Sequence, residues 1–226
     1  MYIKKLGEGV STTSLFLYLI AVVIIFSLGD ILNTSYYLYP NNFKIISAFI
    51  IILISFLYKP IRKMYVRVLD FSVMKKMSTY MWITVAYFLF YYLNHIFFKY
   101  GFFMNELLVD NYNLGIRYTF ISFQEFLLYL LTSCILFPVW EELVNRVCII
   151  IFLSRFIPIW SGVIVQSVIF ALLHIDKPVL VVFFALISFF LWYKTKSIIP
   201  SIILHSLYNL HGGLLTFYNF DFVPRW

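Results

Sequence analysis

Repeated long apolar runs constrain the fold of this sequence more than any other feature. A helix needs about 20 mostly apolar residues to cross ~30 Å of hydrocarbon, and seven runs have roughly that length or more. They lie at 13–33, 43–59, 79–98, 120–153, 158–175, 178–194 and 198–217. The sequence therefore predicts an all-α fold, a polytopic transmembrane helix bundle of about seven (six to eight) spanning helices.

The composition excludes an ordinary soluble domain. Of the 226 residues, 63% are hydrophobic and only 12% are charged, whereas soluble domains carry about 25% charged residues. The net charge is +7, but the cations lie between the apolar runs, where membrane topology places them. We therefore expect membrane lipid as a partner and no nucleic acid.

The distribution of the cations predicts an orientation. The segment between the second and third runs is the most basic, and cytoplasmic loops collect such residues. Its cations are Lys59, Arg62, Lys63, Arg67, Lys75 and Lys76. Alternation then puts the N-terminus in the cytoplasm and the C-terminus outside. It also places a further set of cations on the cytoplasmic side, namely Lys4, Lys5, Arg155, Lys194 and Lys196. Alternatively, residues 60–78 form an amphipathic helix that lies on anionic lipid. Heavy use of Ile, Lys, Phe and Tyr favours a bacterial cell membrane.

The fourth run is too long for one straight span. It contains Pro138, which frees a backbone carbonyl and can bend a helix. The run is either one kinked helix or two shorter helices with a break, and a break would move the C-terminus to the other side.

This fourth run also carries three charged residues, Glu141, Glu142 and Arg146. Such groups are costly at membrane depth and usually mark a functional site. On a helix Glu142 and Arg146 are i and i+4 and can pair, whereas Glu141 points about 100° away. One carboxylate is then restrained by an ion pair and its neighbour is left for chemistry. In the structural alternative, all three groups only lock helices together.

Two histidine patterns follow on later runs. Phe170 precedes His174 by four residues, and His205 precedes Asn209 by four. The second spacing puts the imidazole and the amide on one helix face. Each pattern alone arises easily by chance or as an interhelical hydrogen bond. The order of the three patterns on three separate runs is the stronger signal.

Together these residues suit hydrolysis of an amide. Glu141 would take a proton from water that His174 positions, and His205 with Asn209 would stabilise the oxyanion. No cofactor is assigned. The alternative is a divalent metal such as zinc, held by Glu141, His174 and His205.

The order Glu-Glu-x-x-x-Arg, Phe-x-x-x-His, His-x-x-x-Asn resembles the CAAX protease and bacteriocin-processing (CPBP, or Abi) family of intramembrane proteases. The resemblance covers residues 120–217, preceded by unassigned spans at 1–119 and followed by a short tail at 218–226. It implies a Glu141 base, a structural Glu142–Arg146 pair, water activation shared by His174, and an oxyanion site at His205 and Asn209. It also implies an intramembrane endopeptidase of the glutamate or metallo type. Its substrate would be a membrane-associated peptide or protein, such as a bacteriocin or pheromone-like leader or a CAAX-type C-terminus.

Three other functions fit parts of the pattern. A non-catalytic bacteriocin self-immunity protein could share the fold, but it need not keep Glu141, His174 and His205 together. A small transporter or proton relay would use buried Glu and His residues, but no matching interrupted segments support it. A b-type haem protein could use His174 and His205 as axial ligands, which would leave the acid–arginine motif unexplained.

Overall fold

The computed structural model describes residues 2–35, 42–106, 109 and 123–217, and within these ranges the regular structure is entirely helical. Each of the seven apolar runs is helical over most of its described residues, so the all-α membrane bundle is confirmed. Residues 110–122 and the tail at 218–226 lie outside the described residues. The helices are α1 (Tyr2–Leu6), α2 (Thr12–Ser35), α3 (Asn42–Leu57), α4 (Lys59–Val68), α5 (Met77–Tyr100), α6 (123–153), α7 (Ile159–Leu172), α8 (Pro178–Thr195) and α9 (Ile199–Phe217).

Within the described residues, 3 helices are long and apolar enough to cross a membrane by themselves, namely α2, α5 and α8. Counting the bent pair that begins with α3 as one span raises the number to 4. Helix α7 is apolar but shorter, and α6 and α9 carry the polar residues of the predicted site. Large apolar side chains cover the outside of the bundle, as expected where the solvent is lipid. The chain is an integral membrane protein.

Helix α4 turns sharply away from α3 and is strongly two-sided. The bend between them is 95°. One face of α4 buries Ile61, Met64, Tyr65 and Val68, while its four cations are exposed. An amphipathic helix is therefore present in part of the segment where the sequence left one as an alternative, with its apolar face packed into the protein core. Its position on anionic lipid stays a prediction.

The basic segments that were predicted to share one side of the membrane do share one end of the bundle. Arg155, after α6, donates to Thr12 Oγ1 at 2.6 Å. At the same end, Ser197 Oγ donates to the Val68 carbonyl at 3.1 Å. The loop that follows α5 and the α7–α8 turn meet elsewhere, through a 2.9 Å bond from the Asn105 amide to the Asp176 carbonyl. The cytoplasmic assignment of the basic end stays a prediction.

Helix α6 runs through the proline without a break, so the two-helix alternative is wrong. Its backbone hydrogen-bond register changes instead, with π-helical segments at Thr132–Leu136 and Glu142–Ile149. In the first segment the Phe137 amide donates to the Thr132 carbonyl, five residues back. The next bond in that register would need an N–H at Pro138, which proline lacks. The Ser133 carbonyl is therefore left without its ladder partner.

Helix α8 is the central helix of the bundle. The buried share of its span is 44%, against 22% for α2 and for α5. It begins with Pro178, which suits the first helical turn. The residue that caps its C-terminus, Lys196, has a left-handed backbone conformation (φ 62°). Its inner face lies against the segments that carry the predicted site.

Helix α9 packs against α6 so closely at Gly213 that a side chain has no room. A methyl group there would overlap the ring of Tyr129, whereas one on Gly212 would meet nothing within 4 Å. We expect Gly213→Ala to lower the free energy of unfolding by ~1–3 kcal/mol. The control, Gly212→Ala, should leave it unchanged or raise it by up to about 1 kcal/mol. Thermal unfolding in one detergent checks this, and equal midpoints for the two variants would contradict the close packing.

Candidate active site

The structure gathers the predicted catalytic residues from α6, the α7–α8 turn and α9. His174, His205 and Asn209 line one cavity of about 70 Å³. Glu141 is not among the residues that line it, but its Oε2 lies 3.9 Å from Nε2 of His205. The carboxylate therefore lies beside a ring that lines the cavity.

The two adjacent glutamates have different surroundings. The Glu142 side chain is 0% exposed, and its Oε2 accepts a 2.7 Å hydrogen bond from Ser188 Oγ on α8. The same oxygen lies 3.5 Å from Arg146 Nε. The Glu141 side chain keeps 16% of its surface exposed. Glu142 is thus enclosed by partners, while Glu141 remains accessible to a small molecule such as water.

His205 lies between these two carboxylates. Its Nδ1 is 3.1 Å from Glu142 Oε1 and its Nε2 faces Glu141. A carboxylate accepts hydrogen bonds and does not donate them, so the proton of this bond belongs to Nδ1. A carboxylate in this position fixes the orientation of an imidazole ring. The edge of the ring of Phe184 supports it, with ring centroids 4.9 Å apart.

Arg146 is enclosed by aromatic rings as well as by Glu142. Its guanidinium lies 4.4 Å from the ring centre of Phe170 and 5.9 Å from that of Phe184, close enough for cation–π attraction. It makes no hydrogen bond with any described residue. Its buried charge therefore depends on the ion pair and on these rings.

The π-helical register of Glu142–Ile149 alters the backbone beside the two glutamates. The side chain of Asn145 donates to the Glu141 carbonyl at 3.0 Å, which gives that carbonyl a side-chain partner. Single-turn π segments often occur at functional sites. The α-helical spacing assumed from the sequence is therefore replaced by a wider turn at this point.

His174 is held by the end of its own helix. Its Nδ1 is 3.0 Å from the Phe170 carbonyl, which can only accept, so Nδ1 carries the proton. This bond leaves Nε2 as the ring atom that can accept a hydrogen bond from water. The ring also packs on Phe170, with centroids 4.7 Å apart. Phe170 thus contacts both His174 and Arg146, which its place in the sequence did not indicate.

Asn209 fills the gap that Pro138 leaves in α6. Its Nδ2 donates to the Ser133 carbonyl at 2.6 Å, the acceptor that lacks its N–H at residue 138. An amide nitrogen carries two hydrogens, so one remains for another acceptor. The hydroxyl of Tyr129 donates to the backbone carbonyl of Asn209 at 2.6 Å. Asn209 is therefore held against α6 through both its side chain and its backbone carbonyl.

This arrangement predicts a compensating pair. Asn209→Leu should lower the free energy of unfolding by ~1–3 kcal/mol, because the Ser133 carbonyl becomes buried without a donor. Adding Pro138→Ala supplies an N–H at residue 138 and should restore part of that loss. Chemical unfolding of the single and double variants measures it. A double variant no more stable than Asn209→Leu would contradict the role assigned to Pro138.

The structure also bears on the predicted metal ligands and on residues that the sequence analysis did not single out. Among the described residues, no three His, Cys, Asp or Glu side chains are grouped so that they could hold a metal ion, and Glu141, His174 and His205 do not form such a group. The sequence analysis missed Ser188 and Asn145, whose only signal was a polar residue within an apolar run. It also missed Lys177, which lines the cavity.

Fold and site together define an all-α integral membrane protein with a Glu–His–Glu arrangement inside its helix bundle. Residues 123–211 match the family described as "Type II CAAX prenyl endopeptidase Rce1-like". This segment carries all three predicted motifs and matches the CPBP family of proteases, so the predicted resemblance is confirmed. No curated protein and no solved structure matches the chain significantly.

Proposed function

We propose that this protein is an intramembrane endopeptidase that hydrolyses a peptide bond of a membrane-associated peptide or protein. The observation that carries the proposal is the position of His205, bonded through Nδ1 to the enclosed Glu142 and facing the accessible Glu141 through Nε2. A ring held in this way next to a cavity lined by His174 and Asn209 supports acid–base chemistry better than a purely structural role.

In the first step, Glu141 takes a proton from water while the water oxygen attacks the carbonyl carbon. A C–O bond forms and the π electron pair of the carbonyl moves to its oxygen. His174 orients the water through Nε2, since Nδ1 is occupied by the Phe170 carbonyl. The doubly protonated His205 donates from Nε2 to the oxyanion, and the second N–H of Asn209 does the same.

In the second step the tetrahedral intermediate collapses. The oxyanion re-forms the carbonyl, the C–N bond breaks, and the leaving nitrogen takes the proton held by Glu141. Throughout, Glu142 keeps His205 oriented, and Ser188 with Arg146 keeps Glu142 in place. Restricted access of water to the cavity would strengthen each of these electrostatic contacts.

The metal version remains a separate prediction. A divalent ion would supply a Lewis acid and an activated water, but the described side chains do not form a three-ligand group. The steps above therefore use only residues of the chain. Metal analysis of the purified protein, with assays before and after chelation, tests the alternative. Activity that is lost on chelation and restored by zinc would replace this mechanism.

Cleavage itself can be tested with the wild-type protein in lipid vesicles. Candidate substrates are hydrophobic leader peptides and peptides with CAAX-type C-termini. In H₂¹⁸O, hydrolysis should place one ¹⁸O in the new carboxylate, which mass spectrometry detects. Tight binding of a peptide toxin with no cleavage of any substrate would favour the non-catalytic immunity function instead.

A further inference from the structure

The outside of the bundle carries a groove between α5 and α8 that is separate from the active-site cavity. Its volume is about 230 Å³, against about 70 Å³ for that cavity, and the two share no lining residue. The α5 wall is formed by Trp82, Val85, Ala86 and Leu89, and the α8 wall by four residues between 186 and 191. All of the lining side chains are aliphatic or aromatic. The groove can therefore hold an apolar group away from the proposed catalytic residues.

One end of the groove lies beside a lysine. The ring of Trp82 on α5 lies edge-on to that of Phe190 on α8, with ring centres 5.8 Å apart. Nζ of Lys194 lies 5.7 Å from the centre of the Trp82 ring and 5.3 Å from that of the Phe190 ring. Because both rings line the groove, the ammonium group lies at its mouth. From Trp82 the groove extends to Leu89, ~10 Å further along α5.

The charge of Lys194 is not neutralised within the part of the chain that the structure describes. Its side chain is exposed, and none of the ion pairs between described residues includes it. Lysine carries three N–H donors, and aromatic rings attract an exposed cation only weakly. Lys75 and Lys76, which precede α5, are exposed as well. The mouth of the groove therefore favours an anionic group.

We propose that the groove binds an anionic phospholipid, with one acyl chain between α5 and α8 and the phosphate on Lys194. Apolar contact alone does not select a lipid, because the surrounding hydrocarbon is equally apolar. A chain in the groove instead gains the van der Waals contacts that an unfilled groove lacks, and Lys194 supplies the preference for negative charge. Trp82 lies between the apolar walls and the lysine, as tryptophan does at the level of the headgroups. The inference goes beyond the proposed function, since the occupant is a bound lipid and not the peptide to be cleaved.

The test uses two photoactivatable phospholipids that have the same diazirine-labelled acyl chain and differ only in the headgroup. One is phosphatidylglycerol, which is anionic, and the other is phosphatidylcholine, which is zwitterionic. Each is added in trace amounts to phosphatidylcholine vesicles that contain the protein, and mass spectrometry locates the cross-links. We expect the anionic probe to label the groove walls about 5-fold more, the usual effect of one lysine near a charged headgroup. Lys194→Met should reduce this ratio to about one, and Lys194→Arg should keep most of it.

Lys63→Met is the matched control for charge. Lys63 is an exposed cation of α4 and does not line the groove, so its removal changes the net charge by the same amount and should leave the labelling ratio unaffected. Equal labelling of the groove by the two probes, or a ratio that Lys194→Met leaves intact, would overturn the phosphate contact.

A second pair of variants tests the position of the acyl chain. Val85 lines the groove and is exposed, so Val85→Trp fills the groove from the lipid side without disturbing the core. It should reduce labelling of the walls by both probes, whereas Val23→Trp, at an exposed valine of α2, should not. Labelling of the walls that Val85→Trp leaves unchanged would refute the proposed binding of an acyl chain there.

Discussion

Replacement of Glu141 by glutamine is expected to reduce peptide hydrolysis by about 10²–10⁴-fold, the usual contribution of a general base. Glutamine keeps the size of the side chain and its position beside Nε2 of His205, but it cannot take a proton from water. The initial rate of product formation in vesicles measures the effect. Because the mechanism uses Glu141 in the chemical step, the loss should be in kcat and not in KM.

Glu8→Gln provides the matched control, since it removes an exposed carboxylate near the N-terminus. It should leave hydrolysis and stability unchanged. Glu141→Gln should also unfold at nearly the wild-type temperature, since Glu142 and not Glu141 holds the ion pair with Arg146. Full activity in Glu141→Gln would refute the assignment of the base, whatever its effect on stability.

The features that the sequence predicted are those set by local composition. A helix that crosses lipid must be apolar over its whole length, so α2, α5 and α8 could be located from hydropathy. The i, i+4 relation of Glu142 and Arg146 needs only one helix, and the structure places the two groups in contact. The shared end of the basic segments followed in the same way from the alternation of short loops.

The features that could not be predicted depend on several helices at once. Ser188 looks like any serine within an apolar helix until α8 places it against Glu142. The sequence showed that Pro138 frees a carbonyl, but not that the π register makes it the Ser133 carbonyl or that Asn209 on α9 bonds to it. The position of His205 between two glutamates likewise required the packing of α9 on α6. No periodicity within one segment encodes such contacts.

The roles of His205 and Asn209 are also more specific than the sequence suggested. Both were expected to stabilise an oxyanion, and that role stays a proposal. The structure adds that His205 is oriented by Glu142 and that Asn209 bonds to the backbone of α6. Asn209 thus keeps a second amide hydrogen for substrate, and His205 keeps its second ring nitrogen, Nε2. Substitutions at either position will therefore affect stability and turnover together unless the fold is compensated, as in the Asn209–Pro138 pair.

Replacement of Arg146 by methionine is expected to have the largest effect on stability. The guanidinium and the Glu142 carboxylate are both 0% exposed, so the change leaves a buried carboxylate without its cation. Removal of one partner of a buried ion pair typically costs ~3–5 kcal/mol. A lower yield of folded protein and a lower unfolding midpoint in detergent measure this. A midpoint equal to that of the wild type would contradict the structural role of the pair.

Two double variants then separate the ion pair from the orientation of His205. Arg146→Met with Glu142→Gln removes both charges but keeps an oxygen that can accept the proton of His205 Nδ1, so stability and measurable hydrolysis should both return. Arg146→Met with Glu142→Leu removes the charges and the acceptor. It should regain stability, because replacing a buried pair by apolar groups is often neutral, yet hydrolysis should stay low because the His205 ring loses the bond that fixes it. Equal turnover in the two double variants would mean that Glu142 serves the fold alone and that His205 is oriented by its packing on Phe184.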